Sequence, residues 1–136
     1  MKNYKGTKIA VIIGIILSTL ILAFYFIYPI TYAKPRLESI REKAEQGIDL
    51  ASEEDFDGLT ECIKRMSEIF GEASDHLKLF YNNHAINDAV KDINFALNLV
   101  ENQIFEKQII IECLSNIISD VNYIFEGDAL LWSTFF

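Results

Sequence analysis

One run of side chains in this sequence has the residue types and spacing of a metal site. His84, Asp88 and Asp92 are four residues apart, so on a helix they lie along one face, with neighbouring Cβ atoms about 5–6 Å apart. An imidazole and two carboxylates can hold a divalent ion. A metal in a helical bundle, however, normally draws ligands from a second helix, and acids near a helix start are already favoured by its dipole. We therefore predict no metal site and treat these three residues only as weak candidates.

The motifs that identify common active sites do not occur in the sequence. It has no glycine-rich phosphate loop, no Gly-x-Ser-x-Gly, no Cys-x-x-Cys and no His-Glu-x-x-His. We predict a protein that is not an enzyme, with no catalytic residues and no cofactor. A small metal-dependent hydrolase is the least favoured alternative, because it requires Glu101 or Asp120 to converge on His84.

Cys62 and Cys113 are the only cysteines. Outside the cytoplasm an even pair suggests a disulfide. If the last three helices run up, down and up, the two residues differ in height by roughly 13 Å, whereas a disulfide needs Cα atoms within about 7 Å. Both residues also lie on or beside apolar stripes, where a thiol behaves as a small hydrophobic group. The spacing favours two buried thiols, with a disulfide as the alternative.

Residues 9–33 form one uncharged apolar segment. A helix needs about 20 apolar residues to cross the hydrocarbon core. Three tyrosines gather in the last turns of the segment, where aromatic rings prefer the headgroup level. The apolar region of a cleaved signal peptide is shorter, about 7–15 residues. The segment therefore predicts a retained membrane anchor that contacts lipid, rather than a cleaved leader.

Charge is divided unequally along the chain. It has 12 bases and 20 acids, a net charge of −8, and every acid follows Lys34. The last 103 residues therefore carry a net charge of −11, which excludes a nucleic-acid binder, because phosphate recognition needs Lys and Arg. The positive residues of the leading tail favour its retention in the cytoplasm. The sequence predicts a single-pass cell-membrane protein with a cytoplasmic tail over 1–8, an anchor over 9–33 and an extracytoplasmic helical domain over 34–136.

Apolar residues after Pro35 recur at helical spacing. A first stripe continues from the anchor to about Ile48, and Ser52 with Asp55 resembles a capping box. We expect the last helix to end at Gly127. The stripes of the three later helices cover Leu59–Tyr81, Ile86–Val100 and Ile110–Ile124. The pattern predicts an all-α fold, with one N-terminal transmembrane helix followed by an antiparallel helical bundle or stacked helical hairpins.

The chain resembles a family of small bacterial proteins catalogued as a domain of unknown function, number 4363. The likeness begins with the basic tail and the membrane helix. It continues with the Glu54–Leu59 segment that opens a helix, the aromatic Phe80–Tyr81 end of that helix, the following Asn83–His84, and the apolar C-terminus Trp132–Phe136. The resemblance implies a location in the bacterial envelope and a helical architecture, and it carries no activity.

These observations predict a non-enzymatic, membrane-tethered helical interaction module. Its anchor would hold the domain at the membrane surface, where a helix face or the aromatic tail would meet another envelope protein or a second copy of the chain. The interaction residues predicted in the tail are Trp132, Phe135 and Phe136, unless the tail folds back to cover its apolar surface. The main alternative is a sensory bundle that binds a small ligand in an internal polar pocket and acts with a signalling partner.

Overall fold

The structure, a computed structural model, describes residues 2–135, with side chains described for 4–28 and 31–126. The described chain is helical, and the predicted all-α class is confirmed. Its elements are helix α1 (Lys2–Tyr28), a π-helical turn (Pro29–Ala33), and helices α2 (Lys34–Ser52), α3 (Phe56–Leu77), α4 (Asn83–Glu101) and α5 (Lys107–Phe135). Helices α2 to α5 pack as a four-helix bundle, in which α2 and α4 each contact both α3 and α5.

Helix α1 continues into the bundle without a loop. The apolar part of this long helix meets the length and composition needed to cross a membrane. Pro29 lacks the backbone N–H that an α-helix would use at that position, and the π-helical turn Pro29–Ala33 accommodates the interruption. The predicted continuation of the anchor helix into the domain is confirmed, and the structure ends that helix at Ser52.

The start of α3 differs in detail from the predicted capping box. Asp55 alone is the cap, and its carboxylate accepts a hydrogen bond from Gly58 N at 3.1 Å. The Ser52 hydroxyl instead donates to a carbonyl of its own helix, Ile48 O, at 2.9 Å. Ser52 still belongs to α2, so its side chain cannot serve the next helix.

The predicted end of the last helix at Gly127 is wrong, and two other helices end at residues that are not glycine. Helix α5 runs through Gly127 to Phe135, since a glycine costs a helix only about 1 kcal/mol. The positive φ angles that end α2 and α4 occur at Glu54 (59°) and Gln103 (57°). Both ends are Schellman motifs, closed by hydrogen bonds from Asp55 N to Leu50 O at 2.9 Å and from Ile104 N to Leu99 O at 2.8 Å.

The bundle repeats one helical hairpin. We call α2–α3 the first hairpin and α4–α5 the second. Buried positions of α2 recur 49 residues later in α4, and those of α3 recur 51 residues later in α5, because the second turn is two residues longer. The buried equivalents are Leu37/Ile86, Ile40/Ala89, Ala44/Ile93, Gly47/Ala96, Ala51/Val100, Leu59/Ile110, Cys62/Cys113, Ile63/Leu114, Met66/Ile117, Phe70/Val121 and Ala73/Ile124.

The two hairpins pack together through an apolar core. Every buried side chain in the described residues is apolar. Helices α2 and α5 lie close together at Gly47, where an added Cβ would lie 3.0 Å from Leu114 Cδ1. Arg41 Nη1 also donates to Asn122 Oδ1 at 3.2 Å across this contact. These contacts set the register of the first hairpin against the second.

Candidate functional site

The three weak metal candidates lie along one face of α4. His84 Nε2 is 3.6 Å from Asp88 Oδ2, and the two side chains are 84% and 51% exposed. Asp92 lies one turn further along, half-buried. In the part of the chain that the structure describes, no group of three His, Cys, Asp or Glu side chains is placed to hold a metal ion. The face therefore supplies an exposed His–Asp contact followed by a half-buried acid.

Two carboxyl groups meet between α4 and α5. Asp120 lies within hydrogen-bonding reach of Asp92, and Asp88 adds a nearby negative charge. Burial, followed by the hydrogen bond and the charge of Asp92 and then the charge of Asp88, raises the pKa of Asp120 to about 8. As a carboxylate, Asp120 has a buried Oδ2 with no donor among the described residues. When Asp120 is protonated it can donate a hydrogen bond to Asp92, so a single proton is enough to link the two carboxyl groups.

The position of this acid pair differs from what the hydrolase alternative required. Asp120 converges on Asp92, which is about two helical turns from His84 along α4. Among the described residues, no group of three His, Cys, Asp or Glu side chains is placed to hold a metal ion here. The Cys113 thiol lies near the pair, but burial raises its pKa, so it is protonated at neutral pH. The chemistry that the arrangement supports is therefore proton binding between two helices.

Both cysteines are free and buried, as favoured from the sequence. Each thiol donates to a carbonyl of the other helix in its hairpin: Cys62 Sγ to Lys43 O at 3.1 Å, and Cys113 Sγ to Asp92 O at 3.3 Å. Burial raises the pKa of both thiols, and it raises that of Cys113 to about 11 because the charges of Asp92 and Asp120 add to it. At neutral pH both are therefore protonated and weakly nucleophilic.

A cleft of about 760 Å³ lies at the end of the bundle distant from α1. It runs between the first half of α3 and the turn from α4 to α5, and it is lined by charges of both signs, among them Lys64, Arg65 and Glu101. Its size is that of a small-molecule site, but such sites are mostly apolar. The sensory alternative predicts a polar pocket inside the bundle, whereas the described buried side chains are all apolar.

At the opposite end, rings from α1 meet rings from the end of α3. We call this set the aromatic cluster. The Phe80 centroid lies 4.6 Å from that of Tyr28, 5.3 Å from that of Tyr25 and 5.9 Å from that of Phe24. The cluster comprises Phe24, Tyr25, Tyr28, Tyr32, His76 and Phe80. It braces the membrane-length helix against the bundle.

A cation strengthens the aromatic cluster on the α2 side. The Arg36 guanidinium lies 3.6 Å from the centre of the Tyr32 ring, and Arg36 Nη1 donates to Tyr32 O at 3.1 Å. Such a cation–π contact stabilises the ring and the arginine together. The sequence predicts tyrosines at the headgroup level, but it does not predict their contact with Phe80. The only available signal was the aromatic end of the α3 stripe, and it does not specify a partner.

The predicted interaction residues of the tail lie outside the described side chains. Trp132 and Phe135 belong to the last turns of α5, of which the structure describes the backbone. Phe136 lies outside the described residues altogether. Their role as an interaction surface therefore stays a prediction.

The register of α5 nevertheless gives the height at which the tail ends. Arg41 of α2 contacts Asn122, and its guanidinium lies 5.5 Å from the centre of the Phe125 ring. Because antiparallel helices advance equally at about 1.5 Å per residue, Trp132 is level with about Ala33. The end of α5 therefore lies at the same end of the bundle as the aromatic cluster.

These features define an all-helical protein in which a four-helix bundle follows a helix apolar enough to cross a membrane. In comparison with known proteins, the sequence matches no family model, no curated protein and no solved structure. The resemblance to domain of unknown function 4363 thus stays a prediction. Function has to be inferred from the geometry of this chain.

Proposed function

We propose that this protein is a non-enzymatic, membrane-tethered interaction module of the bacterial cell envelope. The observation that carries the proposal is the stiff connection between anchor and bundle. Helix α1 continues into α2 without a loop, and Phe80 of the bundle stacks on Tyr28 of the anchor helix. A stiff tether holds the bundle at one height and in one orientation, as required for a surface that meets another envelope component.

The orientation proposed is that of a single-pass protein of the cell membrane. The anchor over 9–33 contacts lipid, the tail over 1–8 stays in the cytoplasm, and the bundle lies outside. Three lysines in the tail and the absence of any acid before Lys34 support this orientation. The net charge of −11 on the domain supports protein partners rather than nucleic acid.

The interaction surface proposed is the end of α5, with Trp132, Phe135 and Phe136 as its contact residues. The register of α5 supports this choice, because it brings the backbone of Trp132 and Phe135 to the anchor end of the bundle. Aromatic residues are enriched where proteins meet and supply large contact areas. The partner is another envelope protein or a second copy of this chain.

The test is cross-linking of a tagged full-length protein in intact cells, followed by solubilisation and identification of the cross-linked chains. We expect one reproducible partner that is lost in Trp132→Ser/Phe135→Ser. The matched control is Ile104→Ser, which changes an apolar side chain, 44% exposed, at the other end of the bundle. A protein that stays monomeric, or a tail variant that keeps the partner, contradicts the proposal.

The distal cleft favours a second candidate, a sensory bundle that binds a small polar ligand. Lys64 and Arg65 line one wall of the cleft, and Glu101, the last residue of α4, also lines it. Such a protein would act with a signalling partner. A screen of small anions and zwitterions by thermal shift tests this candidate, and Lys64→Ala is the variant in which a true ligand should lose its effect.

A further inference from the structure

We infer that the turn between α3 and α4, residues 78–82, is a second membrane contact, with Leu79 and Phe80 seated in the outer boundary of the bilayer beside the anchor. The partner of this surface is lipid. The inference rests on the proposed anchor and goes beyond it, because a tether alone would leave the bundle above the membrane.

The first argument is the depth of the anchor residues. The apolar segment begins at Ile9, immediately after Lys8. At about 1.5 Å per residue, Phe24 lies about 22 Å and Tyr28 about 28 Å beyond Ile9. The hydrocarbon core is about 30 Å thick, and any tilt of the helix reduces both heights. Phe24 therefore lies within the hydrocarbon layer and Tyr28 at its edge.

The second argument is that the bundle reaches down to these residues. Phe80 is half-buried, and its ring packs against Phe24, Tyr25 and Tyr28 at centroid distances of 5.9, 5.3 and 4.6 Å. A ring in contact with all three shares their depth. The neighbouring Leu79 is 64% exposed, the highest value among the large apolar side chains described in the bundle, and it lies at the level of the membrane boundary.

The third argument concerns the polar residues around the turn. Lys34 and Arg36 begin α2, and Lys78 opens the turn. Basic side chains next to a membrane boundary attract anionic headgroups, and tyrosines such as Tyr28 and Tyr32 prefer the same layer. Apolar, aromatic and basic residues thus follow one another along the bundle axis in the order that a bilayer boundary requires.

The test places single tryptophans in the full-length protein, reconstituted in vesicles of phosphatidylcholine and phosphatidylglycerol. Trp132→Phe removes the only native tryptophan. In that background, Leu79→Trp reports on the turn, Leu17→Trp on the middle of the anchor, and Ile104→Trp on the distal end. All three positions are exposed, at 64%, 54% and 44%, so the substitutions disturb no core packing. Fluorescence is compared with lipids brominated at shallow or deep acyl positions.

We expect Leu79→Trp to emit at shorter wavelength than Ile104→Trp and to be quenched more by shallow than by deep bromines. Leu17→Trp should show the opposite depth preference, and Ile104→Trp should not be quenched. If Leu79→Trp is unquenched while Leu17→Trp is quenched, the proposed membrane anchor is supported and the second membrane contact is contradicted. If Leu17→Trp is also unquenched, the proposed membrane anchor is contradicted. A blue-shifted but unquenched Leu79→Trp would mean that protein rather than lipid covers the turn, and would overturn the inference.

Discussion

The two hairpins of the bundle share a backbone design and differ in the charge between their helices. Glu54 and Gln103 end the first helix of each hairpin with the same positive φ. Two residues after each comes a phenylalanine, and these two rings, Phe56 and Phe105, stack at 4.7 Å. In each hairpin a cysteine also donates to a carbonyl that lies 11 residues before the turn residue. The equivalence therefore extends from the core to individual hydrogen bonds.

The difference lies in the side chains at matching positions. The carbonyl that accepts the thiol belongs to Lys43 in the first hairpin and to Asp92 in the second. Asp120 of the second hairpin corresponds to Ile69 of the first, which packs against the core. One backbone design thus accepts an apolar residue or a partly buried acid at the same place. The fold does not require Asp120, so its acid pair can be changed without altering the helix packing.

Among the predicted variants, Asp120→Asn should change the free energy of unfolding most. The pKa of Asp120 is about 8 in the folded protein and close to 4 in an unfolded chain. Between these values the folded state holds a proton that the unfolded state has released, so the free energy of unfolding falls as the pH rises from about 4 to 8. Asparagine removes this slope, and at pH 8 it should raise the free energy of unfolding by about 1–3 kcal/mol. Denaturant titrations of the full-length protein in detergent, followed by circular dichroism at pH 5 and pH 8, measure the free energy of unfolding and its change with pH.

Glu112→Gln is the control for that prediction. Glu112 is an exposed acid on the same helix, so its change should alter the free energy of unfolding by no more than about 0.5 kcal/mol and leave the slope intact. Ile69→Asp, the equivalent change in the first hairpin, should destabilise. A pH slope that survives in Asp120→Asn would show that the acid pair is not its source.

Gly47→Leu tests how the two hairpins fit together. An added Cβ would lie 3.0 Å from Leu114 Cδ1, and a larger side chain must separate α2 from α5, at a cost of about 1–3 kcal/mol. Gly71→Leu is the matched control, because a Cβ there meets nothing within 4 Å. Urea denaturation measures both variants. Equal stabilities would mean that the hairpins do not approach at Gly47.

The two cysteines should differ in reactivity because the charges beside them differ. In single-cysteine variants of the folded protein, we expect Cys62 to be alkylated by iodoacetamide several-fold faster than Cys113, since a thiolate is the reacting form. Lys43 opposes the rise in the pKa of Cys62, whereas Asp92 and Asp120 add to that of Cys113. Mass spectrometry gives the two rates.

Asp120→Asn links this experiment to the acid pair. At about pH 9, where Asp120 is ionised because its pKa is about 8, removing its charge should accelerate the alkylation of Cys113 and leave the rate at Cys62 unchanged. Faster alkylation of Cys113 than of Cys62 in the unsubstituted sequence would contradict the charge assignment.

Much of the fold could be predicted from the sequence, because apolar periodicity is a local signal. The stripes over Leu59–Tyr81 and Ile110–Ile124 identified two bundle helices correctly. Helix ends were harder, since Gly127 lies inside a helix while Glu54 ends one. The hydrogen bonds of a Schellman motif fix a positive φ whatever the residue type. The stacked hairpins were among the predicted architectures, but their residue-by-residue equivalence was harder to recognise, because most matching positions share burial rather than amino acids.

The candidate sites were less predictable, because their residues meet only through tertiary structure. Asp120 was considered as a partner for His84, but the register of α5 on α4 brings it to Asp92. The contact of Phe80 with Phe24 likewise joins the turn after α3 to helix α1. No periodicity encodes either pairing, since each depends on the relative height of two helices.

The smallest expected change in stability comes from glycine substitutions at the two turn residues with positive φ, and it should be the same in both hairpins. Glu54 and Gln103 have φ angles of 59° and 57°, a conformation in which a Cβ is strained by roughly 1 kcal/mol or more. Glycine removes the strain but gives the unfolded chain more freedom, so Glu54→Gly and Gln103→Gly should each stabilise by about 0.5 kcal/mol. Glu53→Gly is the control, because φ is −84° there and glycine should only destabilise. Urea midpoints measure all three, and a gain in one hairpin without the other would mean that the turns are not equivalent and that only the core repeats.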